Sequence, residues 1–252
     1  MTTGLTYSTY VTQIATMAVV AADDPSFVII LPQMLTYAEN RIYRDLDFMF
    51  TSTSVTGYQF TAGNRQLTIP YNLADGSGNF VVSEQINVIT PVGTSNPNLG
   101  TRTPLVSSTK EFLDAVYGSS SSTYRGVPQY YAAFNDNLFL VGPFPDAAYY
   151  VEVVGTYRPN SLSPTSTWNG VTGTTFISTY LPETLIMASM VYISAYQRNF
   201  GRMNDDPQMA QSYEGQYQAL IKSAASEESR KKYESAAWSS QAMSPFSTPS
   251  RG

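Results

Sequence analysis

The sequence predicts an α+β protein: a helical bundle formed by both chain ends, an inserted antiparallel β sandwich or barrel-like domain, and an extended C-terminal tail. Three observations predict it. Residues 4–48 and 176–235 carry apolar side chains at helical spacing. The stretch between them, from about 50 to 160, is rich in Thr, Ser, Gly, Val and Tyr, with short apolar runs broken by turn residues. Neither helical block alone buries all its apolar surface, and joining them resolves that. The expected division is 1–49 for the N-terminal helical part, 50–160 for the β insertion, 161–234 for the C-terminal helical part and 235–252 for the tail.

In the first block, Tyr7, Tyr10, Val11, Ile14, Met17 and Ala18 share one helical face. Asp24-Pro25 offers an N-cap followed by proline at the first helical position. Pro32 lacks a backbone donor, so the regular part of this second helix is expected to begin near Leu31. Its stripe is Leu31, Met34, Leu35, Ala38, Ile42 and Leu46, with Glu39, Asn40, Arg41, Arg44 and Asp47 mostly off it.

The middle block predicts strands over Ser54–Phe60, Gln66–Ile69, Asn79–Val92, Tyr130–Phe134, Asn137–Val141 and Ala148–Tyr157. Ala62-Gly-Asn64 and Asn135-Asp136 supply hairpin turns, and Lys110–Tyr117 reads as one short helix. In the third block, Leu185, Ala188, Tyr192, Ala195 and Tyr196 share a face, while Ile186, Met190 and Ile193 cover others, so this helix is expected between partners. Gly201 supplies a stop and Asp206-Pro207 a new start. The last helix carries Met209, Tyr213, Tyr217, Leu220 and Ala224 on one side. From Ser235 the chain is Ser/Pro/Ala-rich and is expected to be extended.

Composition narrows the function classes. The 252 residues include no histidine and no cysteine. That removes the commonest general base, the usual zinc ligands and thiol nucleophiles, and no cofactor is expected. Only 13% of residues are charged and the net charge is −5, a poor balance for gripping duplex nucleic acid. The 19 tyrosines leave much amphipathic surface suited to protein contacts. The first cation is Arg41 and no run approaches the ~20 apolar residues of a membrane span, so a soluble protein made in the cytoplasm is expected.

Phe139-Leu-Val-Gly-Pro-Phe-Pro-Asp146, then Tyr150-Val-Glu-Val-Val-Gly-Thr-Tyr-Arg-Pro159, Leu162-Ser163 and the Leu181-Pro-Glu-Thr-Leu185 helix start form an ordered set. This set, residue by residue over about 139–232 and in element order over most of the chain, resembles the head-to-tail adaptor (connector) family of short-tailed phages.

The resemblance implies a ring of twelve copies under the portal protein, which extends the DNA channel without sequence-specific binding. It also implies a platform for the next tail or nozzle protein, a place in the virion neck after assembly in the host cytoplasm, and no membrane. A C-terminal segment of the Pro245–Arg251 kind commonly reaches the portal in that family. A channel that passes DNA must not hold it, so an acidic or neutral lining is expected; Glu39, Asp45, Asp47, Glu214, Glu227 and Glu228 are candidates by lying on helix faces, where a solvated face is the commoner explanation. Expected contact residues are Arg41 and Arg44 on the second helix, Tyr196, Arg198 and Tyr217 in the later pair, and Phe246 and Arg251 in the tail.

Two other readings compete. A hydrolase would draw on Glu111, Asp114 and Glu152, since paired carboxylates cleave glycosides, although carboxylates three residues apart on a helix are usually just solvated. A carbohydrate-binding tail or adhesin module would use tyrosines with Trp168 and Trp238, but it has no need of helical ends with so much apolar surface. A stopper or terminator ring is the nearest alternative within the structural class.

Overall fold

The computed structural model describes residues 4–73, 76–164, 173–197 and 207–242, with side chains except in 195–197, 207–209 and 234–242. Helix α1 (Tyr7–Ala18) begins at a reciprocal cap. The Thr9 N–H donates to the Thr6 hydroxyl (3.3 Å) and the Thr6 N–H to the Thr9 hydroxyl (2.9 Å). It buries Tyr10, Ile14, Ala15 and Ala18, and ends on Val19 in the left-handed region (φ 54°).

Helix α2 (Pro25–Asp45) starts where Asp24 accepts from the Ser26 and Phe27 N–H groups (2.9 and 3.1 Å) and Pro25 fills the first position. It runs straight through Pro32, against the expectation of a start near Leu31. An early cap and the burial of Phe27 and Leu31 on the same face outweigh the bond that proline deletes.

After the β elements come α4 (Phe176–Tyr180), α5 (Pro182–Gln197) and α6 (Pro207–Ala242). The α5 side chains Leu185, Ile186, Ala188, Ser189, Met190 and Ile193 are all buried, and the helix lies against α1, α2 and α6. That placement explains a sequence apolar nearly all round. Helix α6 continues to Ala242, which corrects the expectation of an extended chain from Ser235. Ala, Ser, Gln and Glu there are compatible with helix, and the run has neither Pro nor Gly to stop it.

The chain divides into two units, one of Met1–Met49 with Asn160–Gly252 and one of Phe50–Pro159. The second unit contains one four-stranded antiparallel sheet in the order β1 (Ser52–Gln59), β10 (Tyr150–Pro159), β3 (Gly78–Thr90), β4 (Thr101–Pro104). A second sheet is ordered β2 (Gln66–Thr68), β8 (Leu138–Gly142), β7 (Tyr130–Ala133), β5 (Val106–Ser107), and a small pair joins β6 (Arg125–Gly126) to β9 (Phe144–Pro145). One buried cluster takes Ile86, Val88, Val151 and Val153 from the first sheet and Leu67, Phe139 and Val141 from the second. Among the described residues no sheet closes into a barrel.

Two pairings are parallel, β5 with β7 and β6 with β9, where an antiparallel unit was expected. The first follows from helix α3 (Lys110–Val116), which lies between β5 and β7 in sequence and carries the chain back to the starting end of the sheet. Leu113 of α3 packs with Ala132 and Leu140 in a separate buried cluster, so β8 presents Phe139 and Val141 to one cluster and Leu140 to the other. Gly142, the last residue of that strand, leaves no room for a side chain, since a Cβ there would lie 2.6 Å from the Tyr117 ring.

Candidate functional site

Charged groups of the helical unit converge where α2 meets α6. Arg41 of α2 is half-buried and donates two hydrogen bonds to the Glu214 carboxylate of α6 (2.8 and 2.5 Å). Its guanidinium lies over the Tyr217 ring, 4.2 Å from the centroid, and its Nε sits 3.6 Å from Asp45. Tyr217 is fully buried and its hydroxyl donates to Asp45 (2.6 Å). A planar guanidinium is suited to both jobs, because its fork matches a carboxylate while its face covers a ring. The electrostatics follow. Bonding to Arg41 holds the Glu214 carboxyl below the usual carboxylate range, while burial, then the bond to Asp45, pushes the Tyr217 phenol up.

The contact residues expected from the sequence therefore separate. Arg41 and Tyr217 are brought together, but inside the subunit; Tyr217, expected at an interface, is covered by its own chain. Arg44 is exposed on α2. Tyr196 falls in α5 with only its backbone course described, and Arg198, Phe246 and Arg251 lie outside the described residues.

The candidate channel carboxylates also separate. Glu39 and Glu228 are buried, at 4% and 7% exposure, which removes them from any lining. Each instead accepts a backbone N–H, from Leu162 (2.9 Å) for Glu39 and from Met49 (3.2 Å) for Glu228. Glu214 and Asp45 are engaged in the Arg41 network, Asp47 pairs with Lys232, and exposed Glu227 pairs with Lys231 (3.1 Å). Helical periodicity could not reveal these partners, since each lies on another segment or depends on local side-chain reach.

The carboxylates weighed for hydrolysis are engaged structurally. Buried Glu152 on β10 accepts from Ser54 (2.8 Å), Asn87 (3.0 Å) and Arg102 (2.8 Å), one partner from each of the other strands of its sheet. Burial disfavours its charge, but the three donors outweigh burial and hold the carboxyl below its ordinary range. Asp114 pairs with Arg65 (2.7 Å) and Lys110 (2.6 Å), and Glu111 sits in the first turn of α3. Among the described residues no group of His, Cys, Asp or Glu is placed to hold a metal, and no helix is long and apolar enough to cross a membrane. Trp168 lies outside the described residues, and Trp238 falls in α6 with its backbone course alone described.

The residues that carry the family resemblance are framework residues. Val151 and Val153 fill the sandwich core and Glu152 ties its sheet together. Gly155 allows a backbone approach that would put a Cβ 2.0 Å from the Val82 oxygen. Leu162 is buried in the helical unit, Pro182 opens α5, and Leu185 is buried in its first turns. No curated protein matches the chain. A family model described as SU10 adaptor protein matches residues 5–245, and the chain therefore belongs to the SU10 adaptor protein family, a family of phage structural adaptors of the head-to-tail type.

Proposed function

We propose that this protein forms a ring, of twelve copies by analogy with other head-to-tail adaptors, that docks under the portal, continues the DNA channel and carries the next tail component. The family match over residues 5–245 is the observation that carries this reading. The composition agrees with it. A net charge of −5 gives passing DNA little to adhere to, whereas each cation in contact with phosphate would add salt-dependent affinity.

In this reading the Arg41–Glu214–Tyr217–Asp45 network shapes the helical body of each subunit, and other residues meet partners. Arg44, Tyr196, Arg198, Phe246 and Arg251 are the proposed contact residues. The last two belong to a C-terminal segment that binds the portal. Neck assembly takes place in the host cytoplasm before the tail is completed.

Sedimentation velocity of the full chain titrated into cognate portal rings tests the proposal. Binding that saturates at one adaptor per portal subunit supports it. No co-sedimentation at any ratio overturns it.

A further inference from the structure

The chain leaves the helical unit after Met49 and re-enters it at Asn160. At both crossings a buried glutamate captures a backbone N–H: Glu228 takes that of Met49, and Glu39 takes that of Leu162. The two glutamates differ in their surroundings. Glu228 has a cation, Lys231, at 2.7 Å. Glu39 has no ion-pair partner among the described residues.

The groups around Glu39 are neutral. From the re-entry segment come the Ser161 hydroxyl and the Leu162 N–H. From α1 comes Tyr10, fully buried, whose hydroxyl lacks a hydrogen-bond partner and whose ionisation Glu39 opposes. From α5, Ser189 stands beside Tyr10 and has committed its proton to the Leu185 carbonyl (2.8 Å). The cation nearest along α2, Arg41, is turned to Glu214 and Tyr217. Leu162 is itself fully buried, so the re-entry segment is a cover over the carboxyl as well as its donor.

We propose that Glu39 makes the re-entry crossing at Leu162 a proton-sensitive latch, closed when the carboxyl is protonated and loosened when it ionises, while the exit crossing at Met49 is insensitive. A buried carboxylate with one backbone donor, one hydroxyl donor and no cation gains solvation when its cover opens. Burial pushes the Glu39 carboxyl up to about 7. In the open segment it returns to the ordinary carboxylate value near 4.3. The closed form therefore holds its proton where the open form has lost it. Opening becomes more favourable by about tenfold per pH unit through that window and levels off above pH ~7. At the exit crossing Lys231 stands 2.7 Å from Glu228, so the buried charge there has a cation beside it.

Amide hydrogen exchange of the full chain, corrected for the intrinsic pH dependence of exchange, tests this. Protection at Leu162 is expected to fall on the order of 100-fold between pH 5 and 7.5, with protection at Met49 unchanged. Glu39→Gln, neutral at every pH and able to accept the same N–H, is expected to leave Leu162 protected throughout. Leu162 protection independent of pH overturns the latch. So does a parallel fall at Met49, or the same fall in the variant. Should the variant not fold, the carboxyl carbon of Glu39 followed by NMR in the native chain decides: a midpoint near 7 supports the latch and one near 4.5 overturns it.

Discussion

Arg41 and Glu214 stand 173 residues apart in sequence and meet through two parallel hydrogen bonds. With Tyr217 beneath the guanidinium and Asp45 beside it, this contact fastens the last helix of the chain to the second. Both side chains retain some solvent access, so the pair itself contributes about 1 kcal/mol after screening. Arg41→Ala also uncovers the Tyr217 ring and is expected to cost about 2 kcal/mol. Denaturant unfolding of Arg41→Ala, Glu214→Ala and the double variant checks this. A coupling energy near zero would show that the pair does not hold the two helices together.

Gly155 is required by a backbone contact. Because an added Cβ would meet the Val82 oxygen at 2.0 Å, Gly155→Ala forces β10 away from β3 at an irregular point in their register. A loss of about 3 kcal/mol or more is expected, against a gain of about 0.5–1 kcal/mol for Gly215→Ala, exposed inside α6 where the space is open. Thermal unfolding of the two variants side by side gives the comparison.

Val19 offers a gain. It ends α1 in the left-handed region with a β-branched side chain that is 85% exposed. Val19→Gly removes steric strain and sacrifices almost no packing, so a stabilisation of about 1 kcal/mol is expected, seen as a higher Tm.

The pH dependence of stability has a contribution with a definite sign. Glu39 binds its proton more tightly folded than unfolded, so its stabilising contribution is complete below pH ~4.3 and is lost as pH rises to about 7. Glu39→Gln is expected to stay within about 1 kcal/mol of the native chain at pH 4.5 and to exceed it by on the order of 3–4 kcal/mol at pH 8. Glu152 has the opposite sense: its carboxyl is held down, so its contribution is present above the ordinary carboxylate range and lost in acid. Unfolding of the native chain and of Glu39→Gln measured from pH 4 to 8 checks the Glu39 contribution.

Much of the architecture was legible because periodicity reports burial. The order of helices, strands and helices could be read from alternating patterns, as could the burial of Leu31, Leu35, Ala38 and Ile42 and the all-round burial of α5. The family signature was legible for a related reason: Val151, Val153, Gly155, Leu162 and Leu185 are packing and close-approach residues. What sequence could not supply was partner identity. Glu39 and Glu228 look like solvated helix-face carboxylates until the chain crossings bring Leu162 and Met49 to them. Arg41 and Tyr217 look like contact residues until the fold brings Glu214 and Tyr217 of α6 to Arg41 and Asp45 of α2. Pro32 and Ser235 mark helix boundaries by local preference, and neighbouring burial and helix-compatible residues carried the helices past both.

Docking of this chain on a portal is the step we propose from its family membership. Electron microscopy of the purified protein mixed with cognate portal rings, beside a chain lacking residues 243–252 and a portal-free control, tests it most directly. A collar added to one end of the portal ring is expected, weakened or lost with the truncated chain although that chain remains folded. A folded full-length chain that leaves every cognate portal ring bare would contradict it.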